Sequence, residues 1–243
     1  MVDTRYRSEL PEIMDNFSME GEVLIEALDK IAQINRLLGG NKVSLEGLKI
    51  LLDTAITKEN QFTRKREISI LDVGCGNGDM LRFLADYAHK KQLNFRLKGI
   101  DANAFSLQHA IQLSADYENI SYECLDVFQE GAIPEPYDII LCTLTLHHFK
   151  DQEIIQLLSR LKEKAKLGLV INDLQRSIIP YYLFRALCFV FRLNEMSKED
   201  GLISILRGFK RKDLEQYAHQ LKLSNTSIRW KWAFRYQWII PTI

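Results

Sequence analysis

The stretch ILDVGCGNGD, residues 70–79, decides the fold of this chain. Its apolar first half predicts a buried strand, and the following residues 80–85, MLRFLA, predict a helix. Three glycines at alternate positions join the two elements, and glycine adopts positive φ freely and has no Cβ. Such a turn lets backbone N–H groups approach a ligand at a helix N-terminus. The stretch therefore predicts a cofactor site in an α/β fold.

Acidic residues near the ends of the first three predicted strands indicate which cofactor fits. The glycine spacing is G-x-G-x-G rather than the G-x-G-x-x-G of dinucleotide folds, and Asp72 precedes it, where a carboxylate would repel a pyrophosphate but suit a cation. Asp101 ends the second strand and is placed to accept hydrogen bonds from ribose hydroxyls. Asp126 lies towards the end of the third predicted strand, 120–128, and a buried fourth strand with a polar exit follows at 137–149.

This order of motifs resembles the class I S-adenosylmethionine (SAM) methyltransferases, in particular the small-molecule branch that includes the ubiquinone and menaquinone methylases. The resemblance extends over about residues 65–175. It implies a Rossmann-like α/β fold with a seven-stranded, mostly parallel sheet that ends in an antiparallel hairpin. It also implies SAM as the cofactor and S-adenosylhomocysteine as the product.

The resemblance assigns a role to each of these residues. Asp72 would lie near the ammonium of SAM, the glycines would line its methionine moiety, Asp101 would hold the ribose, and Asp126 with the Val127 backbone would bind the adenine. These roles suit a ligand that has cationic centres, a diol and an exocyclic amine. The predicted cofactor-binding residues are Asp72, Gly74, Cys75, Gly76, Asp101, Ala102, Asp126, Val127 and Cys142.

Polar residues at the ends of the fourth and fifth predicted strands are the candidate catalytic residues. Methyl transfer from a sulfonium can depend largely on orientation, but a phenol or enol acceptor also benefits from a histidine base. His147 and His148 follow the fourth strand, so either could be the base, contact the cofactor or cap a helix. Asp173 and Arg176, at the end of the fifth strand, could orient the substrate. Alternatively, they are a helix-capping acid and a surface arginine.

Composition limits the classes of partner and compartment. Lys plus Arg and Asp plus Glu number 32 each in 243 residues, so charge gives no indication of a nucleic-acid partner. The cysteines at 75, 124, 142 and 188 show no metal-ligand spacing, which predicts free thiols and no metal. The N-terminus lacks the apolar core of a signal peptide, and the apolar run 178–191 is too short for a transmembrane segment. We expect a cytoplasmic monomer or homodimer.

Two additional segments are predicted around the SAM-binding domain, residues 61–243. Within residues 1–60, apolar residues at helical spacing predict two amphipathic helices, separated at Gly39-Gly40 and with Ser44 as the second N-cap. In the family that the chain resembles, such helices commonly form a lid over the substrate pocket. The polar residues 58–67 would link them to the first strand.

The second additional segment, residues 175–207, follows the fifth strand and contains five Phe and Tyr residues. Ligands bind outside the carboxyl ends of strands in such sheets, so this helical insertion is expected to cover the substrate and determine specificity. Residues 210–221 predict the next helix. The tail, 228–240, alternates with period two, which predicts strand. The resemblance implies that the fold closes with an antiparallel hairpin, and therefore a turn near 231–234, although the alternation is unbroken.

Looser motifs favour a class of methyl acceptor. The segments NRLLGG at 35–40 and DLQRS at 173–177, with Asp200, Ser204 and Arg207, are similar to bacterial methyltransferases of polyketide and aromatic-pigment pathways. They predict a small, apolar, hydroxylated aromatic or polyketide-like acceptor and favour O- over C-methylation. Two alternatives stay open: an inactive SAM-binding scaffold, and an RNA or protein methyltransferase.

Overall fold

The computed structural model describes residues 2–58, 66–129 and 131–242. The helices are α1 Glu22–Leu37, α2 Gly40–Lys58, α3 Asp79–Lys91, α4 Ala104–Leu113, α5 Asp151–Lys164, α6 Ile178–Val190, α7 Glu195–Arg207 and α8 Arg211–Gln220. The strands are β1 Ile68–Val73, β2 Phe95–Asp101, β3 Ile120–Cys124, β4 Tyr137–Thr143, β5 Ala165–Leu174, β6 Ser227–Lys231 and β7 Arg235–Pro241. Two short 3₁₀ helices lie at Ile13–Asp15 and Leu146–His148.

The strands form one seven-stranded sheet in the order β3-β2-β1-β4-β5-β7-β6. Strands β1 to β5 run parallel, whereas β7 pairs antiparallel with both β5 and β6. The chain reverses between Lys231 and Arg235, where the family resemblance implied the turn. The predicted α/β fold with a C-terminal antiparallel hairpin is thus confirmed.

Apolar side chains cover both faces of the sheet. One face packs against α2 and α3, with Leu48, Leu51 and Leu84 fully buried. The other face packs against α5 and α8, and Trp238 of β7 is fully buried there. Since both faces are covered, the carboxyl edge of the parallel strands is left as the place for a site.

Helix α2 begins earlier than the sequence predicted. Gly39 has φ +75° and turns the chain, so α2 starts at Gly40 and Ser44 is not its N-cap. Ser44 is instead fully buried within the helix, where its hydroxyl contacts Thr143 Oγ1 at 2.9 Å and accepts from Asn172 Nδ2 at 3.0 Å. These bonds fix α2 against the ends of β4 and β5.

One other predicted element bound differs from the structure. Strand β3 ends at Cys124, so Asp126 lies in the following turn, where its carboxylate accepts from the Phe128 N–H at 2.9 Å. Most of the predicted linker, residues 59–65, lies outside the described part of the chain. The insertion at 175–207 forms the helices α6 and α7.

Among the described helices, none combines the length and the apolar composition that a membrane span requires.

Candidate active site

A cavity of about 920 Å³ opens at the carboxyl edge of the parallel strands. Residues from the ends of β1, β2, β4 and β5 form its floor, among them Val73, Asp101, Thr143 and Leu174. Its walls come from outside the sheet: α1 contributes Leu24, Leu28, Ile31 and Ile34, and α6 contributes Pro180, Leu183, Phe184 and Leu187. The cavity therefore combines a polar floor with apolar walls.

The glycine turn forms the cavity edge after β1. Gly74 has φ +68°, and a Cβ there would lie 2.5 Å from the Thr145 side chain, so only glycine fits this position. Gly76 has φ +51° and donates its N–H to Asp101 Oδ2 at 2.9 Å. The turn is thereby held against the end of β2.

Asp72 places a buried carboxyl group without a protein donor at the cavity. Its side chain is 2% exposed, and Oδ1 has no hydrogen-bond partner among the described residues. Burial, together with the charges of Asp101 and Asp79, raises the pKa of Asp72 to about 8. A cation at this position would offset the cost of ionising Asp72, so the site fits the ammonium of SAM.

Asp101 and the residues that follow β2 and β3 complete the predicted cofactor site. Asp101 Oδ1 accepts from the Asn103 N–H at 3.0 Å, and burial raises the pKa of this carboxyl group. Its carboxylate is thus fixed by backbone donors while facing the cavity, where free lone pairs could accept from a diol. The other predicted residues on this wall also line the cavity: Gly74, Cys75, Gly76, Ala102, Asp126 and Val127.

Cys142 is the exception in the predicted set. Its side chain is 1% exposed and packs in the apolar cluster with Leu71 and Ile140, and it is not among the residues that line the cavity. The prediction that Cys142 contacts the cofactor is therefore not supported by its position, because the side chain of this β4 residue faces the helix layer.

The N-terminal helices are tied directly to the cofactor loops. Asn77 in the glycine turn donates to Asp29 Oδ1 of α1 at 2.9 Å. Asp79, which begins α3, accepts from Asn41 Nδ2 at 2.8 Å and lies 3.2 Å from the Arg36 guanidinium. Sequence periodicity predicted the two helices but not these polar contacts.

His147 and Asp173 form a hydrogen-bonded pair beside the cavity. His147 is 3% exposed, and its Nδ1 lies 2.7 Å from Asp173 Oδ1. An ionised carboxylate only accepts, so Nδ1 carries the proton and Nε2 presents a lone pair. Burial alone would raise the pKa of Asp173, but its bonds to His147 and to the Leu174 N–H hold the pKa below its usual value.

The position of Asp173 does not fit the prediction that this residue orients the substrate directly. The carboxylate is 1% exposed and does not line the cavity, since His147 and the backbone of Leu174 occupy its oxygens. Any effect of Asp173 on a substrate is transmitted through His147.

Arg176 is a structural residue, which corrects the prediction that it contacts substrate. Its side chain is 1% exposed and absent from the cavity lining. The guanidinium donates to the carbonyls of Gly208 at 2.5 Å and Thr4 at 3.1 Å and to Asp213 Oδ2 at 2.8 Å. These partners come from distant parts of the chain, so a reading of the local sequence did not find them.

The segment before α1 contributes acids that the sequence analysis missed. Asp15 Oδ1 lies 2.7 Å from His148 Nδ1, and its Oδ2 accepts from Arg207 Nη1 at 2.5 Å. The Asp200 carboxylate accepts from the N–H groups of Ile13 at 2.7 Å and Met14 at 3.0 Å. This segment lacks the periodic pattern that marks helices and strands, which explains why it gave no signal.

Glu12 brings a carboxyl group close to both histidines. Its Oε1 lies 3.8 Å from His147 Nε2 and 3.8 Å from His148 Nδ1. Each of the three residues offers a ligand atom within 4.8 Å of the other two, a spacing that a metal ion could bridge. However, the Arg207 guanidinium lies 3.7 Å from the same Oε1, and its positive charge opposes a cation there.

Comparison with known proteins agrees with this geometry. Residues 70–168 match a family model described as a methyltransferase domain. A malonyl-[acyl-carrier protein] O-methyltransferase of Acetivibrio thermocellus is 29% identical over 87 residues, which are 36% of this chain and 29% of that protein. The chain spans less than half the length of the curated relatives that it matches.

Solved structures share the fold. The plantazolicin methyltransferase BpumL, in complex with SAH, superposes with a TM-score of 0.64 at 18% identity and covers 88% of each chain. The CurJ carbon methyltransferase superposes with a TM-score of 0.55 at 16% identity, over 79% of this chain and 53% of that one. Residues 70–168 therefore carry a methyltransferase domain, and the described chain has the fold of class I methyltransferases, whose cofactor is SAM.

Proposed function

We propose that this chain transfers a methyl group from SAM to a hydroxyl group of a small, apolar, aromatic or polyketide-like acceptor. One observation carries the proposal: a single cavity contains both the acidic cofactor site of Asp72 and Asp101 and an oriented histidine, His147. An enzyme of this kind needs little more than these two features, because positioning supplies much of the rate.

The cofactor site is assigned by the chemistry of its residues. Asp72 would pair with the ammonium, and Asp101 would accept hydrogen bonds from the ribose hydroxyls. The turn that contains Asp126 and Val127 would surround the adenine. When bound, SAM supplies an electrophilic methyl group on a sulfonium.

His147 is the proposed general base. Its Nε2 would accept the proton of the acceptor hydroxyl. The hydroxyl oxygen would bond to the methyl carbon as the methyl–sulfur bond breaks, and the electron pair of that bond would go to sulfur to give S-adenosylhomocysteine. Asp173, 2.7 Å from Nδ1, would hold the ring in the productive tautomer and stabilise the charge that forms on it. His148 faces Asp15 and Arg207 instead, so we assign it to anchoring the N-terminal segment.

The apolar walls support the choice of acceptor. Leu24 and Leu28 of α1 face the same cavity as Phe184 and Leu187 of α6. We propose that residues 1–60 and 175–207 together cover the acceptor and exclude water from the transfer. The name of the curated relative, an O-methyltransferase, favours oxygen over carbon as the methylated atom. The zero net charge and free cysteines suit a cytoplasmic enzyme without a nucleic-acid partner.

The test is transfer of radiolabelled methyl from SAM to a panel of alkylphenols, with SAM affinity measured by calorimetry. We expect label in the organic extract with the wild-type protein. His147→Ala should lower kcat by roughly 10²–10⁴, the usual contribution of a general base, and leave SAM affinity unchanged. His219→Ala, an exposed histidine of α8, is the matched control. Binding of SAM without any transfer would instead support the inactive scaffold.

A further inference from the structure

Arg235, the first residue of β7, is a buried cation whose guanidinium has unpartnered N–H groups within the described part of the chain. Its side chain lines the cavity but is only 3% exposed. Neither Nε nor Nη1 has a hydrogen-bond partner among the described residues. Burial lowers the pKa of Arg235 to about 10, which still leaves the guanidinium charged at neutral pH. Buried charges in proteins are normally paired, so Arg235 lacks an expected counter-ion.

Among the described residues, no carboxylate forms an ion pair or a hydrogen bond with the Arg235 guanidinium. Asp173 is the acid that acts on it electrostatically, but its carboxylate is occupied by His147 and by the Leu174 N–H. The guanidinium carbon and Asn35 Oδ1 both lie near Gly40, and this amide oxygen is also buried and unpartnered. Asn35 lines the cavity but is neutral, so it cannot balance the charge.

Arg235 lies at a different part of the sheet from the proposed cofactor residues. Arg235 pairs with Leu174 at the carboxyl end of β5. The glycine turn and Asp72 belong to β1, and the strand order places β4 and β5 between β1 and β7. Three strand spacings of about 4.8 Å separate β1 from β7, or roughly 14 Å. Arg235 is thus on the side of the cavity that His147 and the α6 insertion share, where the acceptor would lie.

We propose that Arg235 binds an anionic oxygen group of the methyl acceptor, a carboxylate in the first instance. The inference rests on the proposed function and narrows the acceptor to a hydroxylated apolar molecule that also carries an acidic group. A planar carboxylate matches the fork of a guanidinium and would satisfy its unpartnered N–H groups. It would fix the acceptor at one end while the hydroxyl lies at His147. Asn35 Oδ1 could accept from a further donor of the same molecule.

The test compares Arg235→Met with wild type on paired acceptors, an alkylphenol and the hydroxybenzoate with the same alkyl chain. Wild-type kcat/KM should favour the hydroxybenzoate by about tenfold or more, and Arg235→Met should reduce that preference to about one. Transfer to the uncharged phenol and SAM affinity should change little. Arg229→Met, an exposed arginine of the neighbouring strand, is the matched control.

Thermal unfolding of the ligand-free protein provides a second readout. Replacing an unpartnered buried charge by an apolar side chain of similar length should leave the unfolding midpoint unchanged or raise it. A lowered midpoint would show that Arg235 has a structural partner and would overturn the proposal. So would an unchanged preference for the hydroxybenzoate. If Arg235→Met lost SAM affinity but kept the preference for the hydroxybenzoate, Arg235 would bind the carboxylate of SAM rather than that of the acceptor.

A binding measurement separates failure of this inference from failure of the proposed function. Calorimetry with the SAH-loaded protein should detect binding of the hydroxybenzoate to wild type and about tenfold weaker binding to Arg235→Met. That difference should appear even if no methyl group is transferred, in which case only the enzymatic proposal fails. Equal binding to both proteins would contradict the role of Arg235 alone.

Discussion

The imidazole Nδ1 of His147 lies 2.7 Å from Oδ1 of Asp173, and this bond joins the exit of β4 to the end of β5. Both side chains are almost completely buried, so the bond fixes the histidine ring at the cavity. The remaining ring nitrogen, Nε2, makes no hydrogen bond among the described residues. It is therefore available to an acceptor that enters between the α1 and α6 walls.

Asp173→Asn tests whether this bond supports catalysis. The amide keeps the shape of the side chain but can present its NH₂ group to Nδ1, which favours the wrong tautomer. We expect kcat to fall by roughly 10²–10⁴ while SAM affinity stays unchanged. Single-turnover kinetics measures the first quantity and calorimetry the second. Asp116→Asn, on the exposed surface, is the control, and wild-type kcat in Asp173→Asn would refute the role of the pair.

Asp101→Ala tests the ribose site. The variant loses an acceptor for two hydroxyls, and it also loses the bond that holds the Gly76 N–H at 2.9 Å. SAM affinity should fall by about 1.5–3 kcal/mol. Asp126→Ala should lower SAM affinity less, since in the proposed site the Val127 backbone would also bind the adenine. Calorimetry that found unchanged SAM affinity for Asp101→Ala would contradict the placement of the ribose.

Asp72 should make the stability of the ligand-free protein depend on pH. Its folded-state pKa of about 8 exceeds the ordinary value of 3.8, so its contribution to stability is present at low pH and is lost as pH rises through about 8. Wild type should therefore lose stability relative to Asp72→Asn between about pH 5 and about pH 8 in urea unfolding. A constant difference between the two proteins across that range would argue against a buried, unpaired Asp72.

Asp72→Asn should also change SAM affinity, and in the opposite direction to its effect on stability. The ammonium of SAM favours the ionised carboxylate, so Asp72→Asn should weaken SAM binding by about 1–3 kcal/mol at neutral pH. If Asp72→Asn bound SAM as tightly as wild type, the placement of the ammonium beside Asp72 would be contradicted.

Arg176→Met distinguishes a structural arginine from a substrate-binding one. The substitution leaves Asp213 without its buried partner and the carbonyl of Gly208 without its donor. We expect the free energy of unfolding to fall by about 3–5 kcal/mol, while the folded fraction keeps its KM for the phenol. A raised KM for the phenol with an unchanged free energy of unfolding would instead show that Arg176 binds substrate.

Local sequence was sufficient to predict the strand, the glycine turn and the helix start that carry the proposed cofactor residues. The glycine turn, Asp72 and Asp101 sit at a strand end and a following helix start, where a short stretch of chain determines the geometry. The hairpin turn near 231–234 was implied by the family resemblance, since the alternation of the tail is unbroken. Cys142 was misplaced because strand alternation alone does not determine which face of β4 borders the cavity.

The acceptor half depends on contacts between distant residues. Arg176 contacts Thr4 and Asp213, and Arg235 is exceptional only because its neighbours leave it without a partner. Asp173 was predicted as a site residue. Its proposed role, to orient the His147 ring, depends on a hydrogen bond between residues at the ends of two strands, and local sequence does not show that bond. Such relationships arise from tertiary packing, and periodicity carries no information about them.

A crystal structure of the protein with SAM would show where the cofactor binds. We expect that the ammonium lies within hydrogen-bond distance of Asp72, that the ribose hydroxyls bond to Asp101, and that the methyl group faces the space between His147 Nε2 and the α6 wall. A cofactor bound elsewhere, or one whose methyl group points away from His147, would contradict the proposed site.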